Sequence, residues 1–147
     1  MLARDLADPA PVVRGDDDAG WVLRRLVAGG WDGLVVVDDA DAPVTTVSLA
    51  QVLRLLLPEY IEEDVSLASV YAERQSDVLA DALAGRLVAQ VLPQPRRDPV
   101  VVDAGATLLE VAAAMATLRS SVVAVVDAGR TSGALGAHAV LRAALLR

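Results

Sequence analysis

Two stretches of the chain carry the same order of apolar and polar positions. From Gly33 to Leu53 (GLVVVDDADAPVTTVSLAQVL), an apolar run of strand length, Leu34 to Val37, leads into a polar turn through Asp38, Asp39 and Asp41. A second, β-branched run follows from Val44 to Val47, and then a helix start at Ser48. Apolar runs of this length bounded by Asp and Pro turn residues predict a hairpin. From Ser121 to Leu141 (SVVAVVDAGRTSGALGAHAVL) the order returns as strand, Asp-Ala-Gly turn, short strand and helix. Val37-Asp38 aligns with Val126-Asp127, and Ser48 aligns with Gly136 once one turn residue is dropped. The chain therefore reads as two copies of one unit.

The flanking segments extend the duplication. Leu2 to Leu6 has a counterpart in Leu87 to Leu92, each ahead of a Pro-containing bend. Val12-Val13 and Val100 to Val102 are minimal strands, each followed by a helix. The first helix, Ala19 to Ala28, starts after the acidic run Asp16-Asp17-Asp18, whose side chains suit capping. It carries Val22, Leu23, Leu26 and Val27 on one stripe and stops at Gly29-Gly30. Its counterpart opens on Thr107-Leu108-Leu109-Glu110, a capping-box sequence, with Leu108, Val111, Ala112, Met115 and Leu118 as the stripe and Ala113, Ala114 and Ala116 on a small-residue face. The helix after Ser48 carries Leu49, Val52, Leu53 and Leu56 and stops at Pro58. A longer helix over Ser66 to Ala84 has no counterpart and bridges the copies. The units are residues 1–58, a helical linker 59–85, and residues 86–147.

At 147 residues and 54% hydrophobic content, the chain can bury a core of its own. No apolar run approaches the roughly 18 residues that span a bilayer, and the early acidic residues do not suit a signal peptide, so a cytoplasmic address is expected. Cysteine is absent, which removes disulfides and thiolate chemistry. All 13 basic residues are Arg, a bias that points to a GC-rich bacterium. Without Lys there is no Schiff base and no phosphate-loop lysine. The formal charge of −7 argues against nucleic-acid binding. Trp21 and Trp31 are apolar anchors, and His138, the only His, suits a helix start or the surface. Arg96-Arg97 forms a solvated pair in a stiff loop.

Taken together, these elements resemble a tandem pair of CBS domains, a Bateman module, over residues 2 to 146. The resemblance rests on the doubled order of small strand, capped helix, strand ending Val-Val-Asp, turn, second strand and closing helix. It implies an α/β (α+β) fold of two β-α-β-β-α CBS repeats, packed as a pseudo-symmetric pair with an inter-repeat linker helix. It also implies two related clefts that hold an adenine nucleotide. The family signature places a Gly on the second strand, a Ser or Thr at the helix start for phosphate, and an Asp three residues later for the ribose hydroxyls. Carried over, the first repeat has Thr45, Ser48 and Gln51 at these places, and the second has Gly133, Gly136 and Ala139. Leu34 joins them as a ligand-binding candidate.

The expected function is that of a stand-alone regulatory module that binds AMP, ADP, ATP or S-adenosylmethionine and signals by changing shape to a regulated protein. No cofactor is required. The alternative is a non-catalytic homodimerisation or interaction module with vestigial clefts. No nucleophile and base, paired carboxylates or metal set is visible, so no enzyme is expected and no catalytic or metal residue is assigned. A homodimer is expected, with no nucleic-acid or membrane partner. Ser48 and Gln51 keep polar side chains where Gly136 and Ala139 offer only backbone, so ligand contacts are expected mainly at the first repeat.

Overall fold

A computed structural model describes residues 1–55 and 83–146, and it contains the duplication. The bridging helix expected over Ser66 to Ala84 lies almost wholly outside the described residues. The first repeat runs β1 (Val12–Arg14), α2 (Ala19–Gly29), β2 (Gly33–Val37), β3 (Pro43–Ser48) and α3 (Leu49–Leu55), preceded by a short α1 (Ala3–Leu6). The second runs β4 (Val101–Asp103), α5 (Leu108–Leu118), β5 (Val122–Asp127), β6 (Arg130–Gly136) and α6 (Ala137–Leu145), preceded by a short α4 (Val88–Val91). Each repeat forms a three-stranded sheet in the order β1-β2-β3 or β4-β5-β6. In both, the first pair is parallel and the second antiparallel. Register carries the duplication to single residues, since Gly33 faces Ser48 as Val122 faces Gly136.

Local signals set the element boundaries. Asp18 Oδ2 accepts the Trp21 N–H at 2.8 Å to cap α2, and Gly30, at φ 64°, ends it in the left-handed region that glycine tolerates. Thr107 and Glu110 form the expected capping box at α5 through bonds of 3.2 and 3.3 Å. Asp38 Oδ1 accepts the Ala40 and Ala42 N–H groups, each at 2.9 Å, which folds the first hairpin turn.

Strands β2 and β5 are apolar without alternation because both their faces are covered. Successive side chains on a strand point to opposite faces. On β2, Leu34 and Val36 enter the first repeat's own core with Val22, Leu26 and Val52, while Val35 and Val37 meet the other sheet. On β5, Val123 and Val125 enter the second core with Val111 and Met115, and Val122 and Ala124 complete the seam. The two sheets therefore pack face to face through Val35, Val37, Val122, Ala124 and Ala134.

The lead segments are exchanged between repeats. Ala3 is buried in the second core, and the Ala3 and Arg4 amides donate to the carbonyls of Ala106 and Ala104. Reciprocally, Val88 and Leu92 are buried in the first core, and the Val88 and Ala89 amides donate to Asp17 and Gly15. Packing thus crosses the unit boundaries at 58 and 86, and neither core is complete without the other repeat's lead.

Three apolar stripes are narrower than their periodicity suggests. Val27, Leu53 and Leu118, expected on buried stripes, are 77%, 60% and 60% exposed. Each helix seats one row against its sheet, such as Val22 and Leu26 or Val111 and Met115, and leaves an apolar shoulder outside. Trp21 is half exposed, whereas Trp31 packs on the first core, and the Arg25 guanidinium lies over both rings at 4.7 and 5.8 Å.

Candidate inter-repeat cleft

The two helix starts that end the hairpins are built differently. In the first repeat, Gln51 Oε1 accepts the Ser48 N–H at 2.8 Å, and Ser48 Oγ accepts the Gln51 N–H at 3.4 Å. This is a capping box closed within one turn. In the second repeat, Gly136 is the N-cap of α6 and has no side chain to contribute. The cap comes from the first repeat: Asp32 Oδ2 accepts the His138 N–H at 3.0 Å. The same junction is tied by Ser121 Oγ donating to the Asp32 carbonyl at 2.9 Å, and by the Ala137 N–H donating to the Ser121 carbonyl at 2.8 Å. A β-carbon at 136 would strike the Asp32 carboxylate, so the glycine and the aspartate fit one another.

A cavity of about 560 Å³ opens beside this junction, between the turn from α2 to β2 and the turn from β6 to α6. Asp8, Trp31, Asp32, His138, Ala139 and Arg142 are among its walls. Asp8 Oδ1 accepts the Ala10 N–H at 2.9 Å, and Arg142 Nη2 lies 3.3 Å from His138 Nε2, one helical turn away. The cavity thus combines an indole, two carboxylates and one guanidinium with backbone from both repeats. That volume lies within the range of small-ligand sites.

The candidate residues divide among different jobs. Gly136 and Ala139 line this cavity together, and Ala139 presents a methyl where the family resemblance places a ribose carboxylate. Gly133 is not in its wall; a β-carbon there would press on Ala7 and on the Asp8 backbone, where strand β6 exchanges amide bonds of 2.7 and 2.8 Å with Asp8. Thr45, its register equivalent, is buried, and its hydroxyl donates to the Arg97 carbonyl at 2.9 Å. The neighbouring Thr46 Oγ1 accepts the Val100 N–H at 3.2 Å. These two hydroxyls hold the lead into β4 as backbone bonds hold the lead into β1. Leu34 is a core residue, 4% exposed, with its side chain among Val22, Val36 and Val52, so its assignment as a ligand contact is corrected. Ser48 Oγ and Gln51 Oε1 each accept a backbone amide within their own turn, which leaves the Ser48 hydroxyl proton and the Gln51 amide group as donors.

Asp32 is the residue that the sequence did not single out. The only signal was the missing hydroxyl at Gly136, which implies a substitute cap without saying where it comes from. Among the described residues, no group of three or more His, Cys, Asp or Glu could hold a metal ion. No helix among them is long and apolar enough to cross a membrane.

The comparisons with known proteins agree with this architecture. The CBS domain family model matches residues 88–146. A CBS domain-containing protein of unknown function from Kribbella flavida is 39% identical, with 99% of each chain covered and a TM-score of 0.78. The CBS-pair protein CBSX2 from Arabidopsis thaliana is 25% identical over 99% of this chain and 95% of that one, with a TM-score of 0.68. CBSX2 in complex with AMP gives the same identity over 99% and 97%, with a TM-score of 0.64. No curated protein matches the sequence. The likeness along the full length of the Kribbella protein, with its doubled sheets and helices, makes this chain a member of the CBS-domain family that carries the domain as a tandem pair.

Proposed function

We propose that the protein is a non-catalytic regulatory CBS pair that binds an adenine nucleoside or nucleotide between its repeats and transmits occupancy as a change in how the repeats pack. The cavity at the junction of Asp32 and Gly136 carries this reading, because both repeats contribute walls and a ligand there bears on both. Ligand binding shifts a protein between arrangements only through differential contacts, and a cleft walled by two bodies supplies them. The AMP complex of CBSX2 supports the ligand class. Trp31 gives the cavity wall an aromatic side chain, and Arg142 and Asp8 give it polar ones. Among the described residues of the cavity wall, no nucleophile is brought together with a general base, in keeping with binding without turnover.

The exposed shoulders of the helices favour a homodimer. Leu109, Leu118, Leu141 and Leu145 stand out from α5 and α6, and a shallow groove between these helices is lined by Ala112, Met115, Ala116 and Leu141. A second copy of the chain, presenting the same small and apolar residues, is an occupant that buries them. Light scattering is expected to give twice the 15.3 kDa protomer mass.

Thermal unfolding with AMP, ADP, ATP and S-adenosylmethionine tests the ligand class. A ligand at about 100 times its Kd stabilises the fold by about 2.7 kcal/mol, which raises Tm by several degrees. If neither these four nor adenosine moves Tm at millimolar concentration, the protein is an interaction module with vestigial clefts.

A further inference from the structure

The end of the cavity where α6 begins already holds a negative charge. Unpaired amides and aligned peptide dipoles make a helix start attractive to anions. At α6 the anion is a side chain of the other repeat, since Asp32 Oδ2 accepts the His138 N–H at 3.0 Å. Its backbone is anchored by the Ser121 hydroxyl, α6 has no side-chain cap of its own, and Gly136 leaves the space that the carboxylate fills. A second carboxylate, Asp8, lines the same cavity. The cavity's guanidinium, Arg142, sits six residues along α6 from Gly136, about 9 Å by the helical rise, and lies against His138.

We propose that Asp32 is a specificity-determining residue that occupies the anion position at the start of α6 and restricts this cleft to ligands without a phosphate there, such as a neutral or cationic nucleoside. The proposal rests on the adenine-ligand reading given above and narrows it. A phosphate brought to the helix start must displace the carboxylate or lie beside it, and like charges set side by side are a means of rejecting a ligand. A neutral ribose hydroxyl or a cationic substituent meets no such penalty. It can instead bond to the outer oxygen of Asp32.

Adenosine and AMP differ only by the phosphate and serve as the probes. Calorimetric titration of the wild-type protein is expected to show adenosine binding and AMP at least about tenfold weaker. Asp32→Asn keeps an acceptor for the His138 amide and removes the charge, and it is expected to bring AMP within about threefold of adenosine. Asp32→Ser, a shorter neutral cap, gives the same direction and serves if the Asn variant folds poorly. The proposal is overturned if AMP binds the wild type as tightly as adenosine, or if neither variant changes the ratio. It is also overturned if AMP binds the wild type through Arg142, read as loss of AMP alone in Arg142→Ala. Binding of neither probe to the wild type or to either variant removes the adenine-ligand reading, and this proposal falls with it.

Discussion

The start of α3 and the start of α6 occupy the same place in the duplicated unit and solve the same problem in opposite ways. An α-helix begins with amides that have no partner in the helix. At α3 the chain answers locally, with Ser48 and Gln51 bonded to each other's backbone within one turn. At α6 it answers across the molecule, with Asp32 of the first repeat reaching the amide of His138 in the second. The local cap leaves the helix start independent of the other repeat. The distant one makes it part of the inter-repeat junction, so anything that moves the repeats apart uncaps α6. Duplication followed by divergence has therefore given one side of the molecule a self-contained helix start and the other a junction that can register how the repeats are placed.

The largest expected effect comes from the strand position next to this junction. Gly33 and Val122 are register equivalents, and the valine of one repeat fills the space left by the glycine of the other. A β-carbon at 33 would meet the Val47 carbonyl oxygen and stand 2.7 Å from Val122 Cγ1. Neither the strand backbone nor a seam residue can withdraw far. Gly33→Val is expected to destabilise the protein by about 3 kcal/mol in chemical denaturation. Trimming the opposing side chain with Val122→Ala relieves one of the two clashes. The double variant should then be more stable than the sum of the single changes by about 1 kcal/mol. Additive effects would show that the two residues do not share the seam.

The next effect tests the distant cap itself. Gly136 has φ −95° and ψ 157°, extended backbone that any residue adopts, so a side chain there carries no strain of its own. Gly136→Ala pushes Asp32 away and offers no substitute, at an expected cost of about 2 kcal/mol. Gly136→Ser pushes it away equally but brings a hydroxyl that can cap α6, as Ser48 caps α3. It should recover about 1 kcal/mol of that loss in the same denaturation series. Equal stability of the Ala and Ser variants would mean that the loss lies in crowding and not in the cap.

The strands and the cap boxes were legible because their causes are local. Apolar runs bounded by Asp38 or by Asp127 and Gly129 have few other folded outcomes, and Thr107 with Glu110 specifies a helix start within four residues. The exchange of lead segments was not legible, although Leu2 to Leu6 and Leu87 to Leu92 were matched as counterparts. Sequence similarity between two segments does not say which core each one enters. Periodicity puts Val27, Leu53 and Leu118 on apolar stripes, yet all three are exposed, because it shows which face of a helix is apolar and not what covers it. The site was legible only in part. Gly136 and Ala139 lie in the cavity wall as residues, but the Asp32 partnership spans about a hundred positions and has no periodicity. Thr45 shows a further limit, since its hydroxyl serves the lead into β4, a contact that depends on where the other repeat packs.

The smallest expected effect distinguishes a structural cap from a ligand contact at α3. Ser48→Ala removes the acceptor for the Gln51 amide, and Gln51→Ala removes the acceptor for the Ser48 amide; each cap bond is expected to contribute about 1 kcal/mol. The two bonds close one box, so the losses should not add fully, and the double variant is expected to lose less than their sum. It should fold, melt a few degrees lower, and still be stabilised by adenosine to within about a degree of the wild-type increment, because the cavity at Asp32 and Gly136 is untouched. If the ligand-induced increment disappears while the fold persists, Ser48 and Gln51 hold the ligand. The equivalence of the two helix starts would then be restored in function although it is broken in structure.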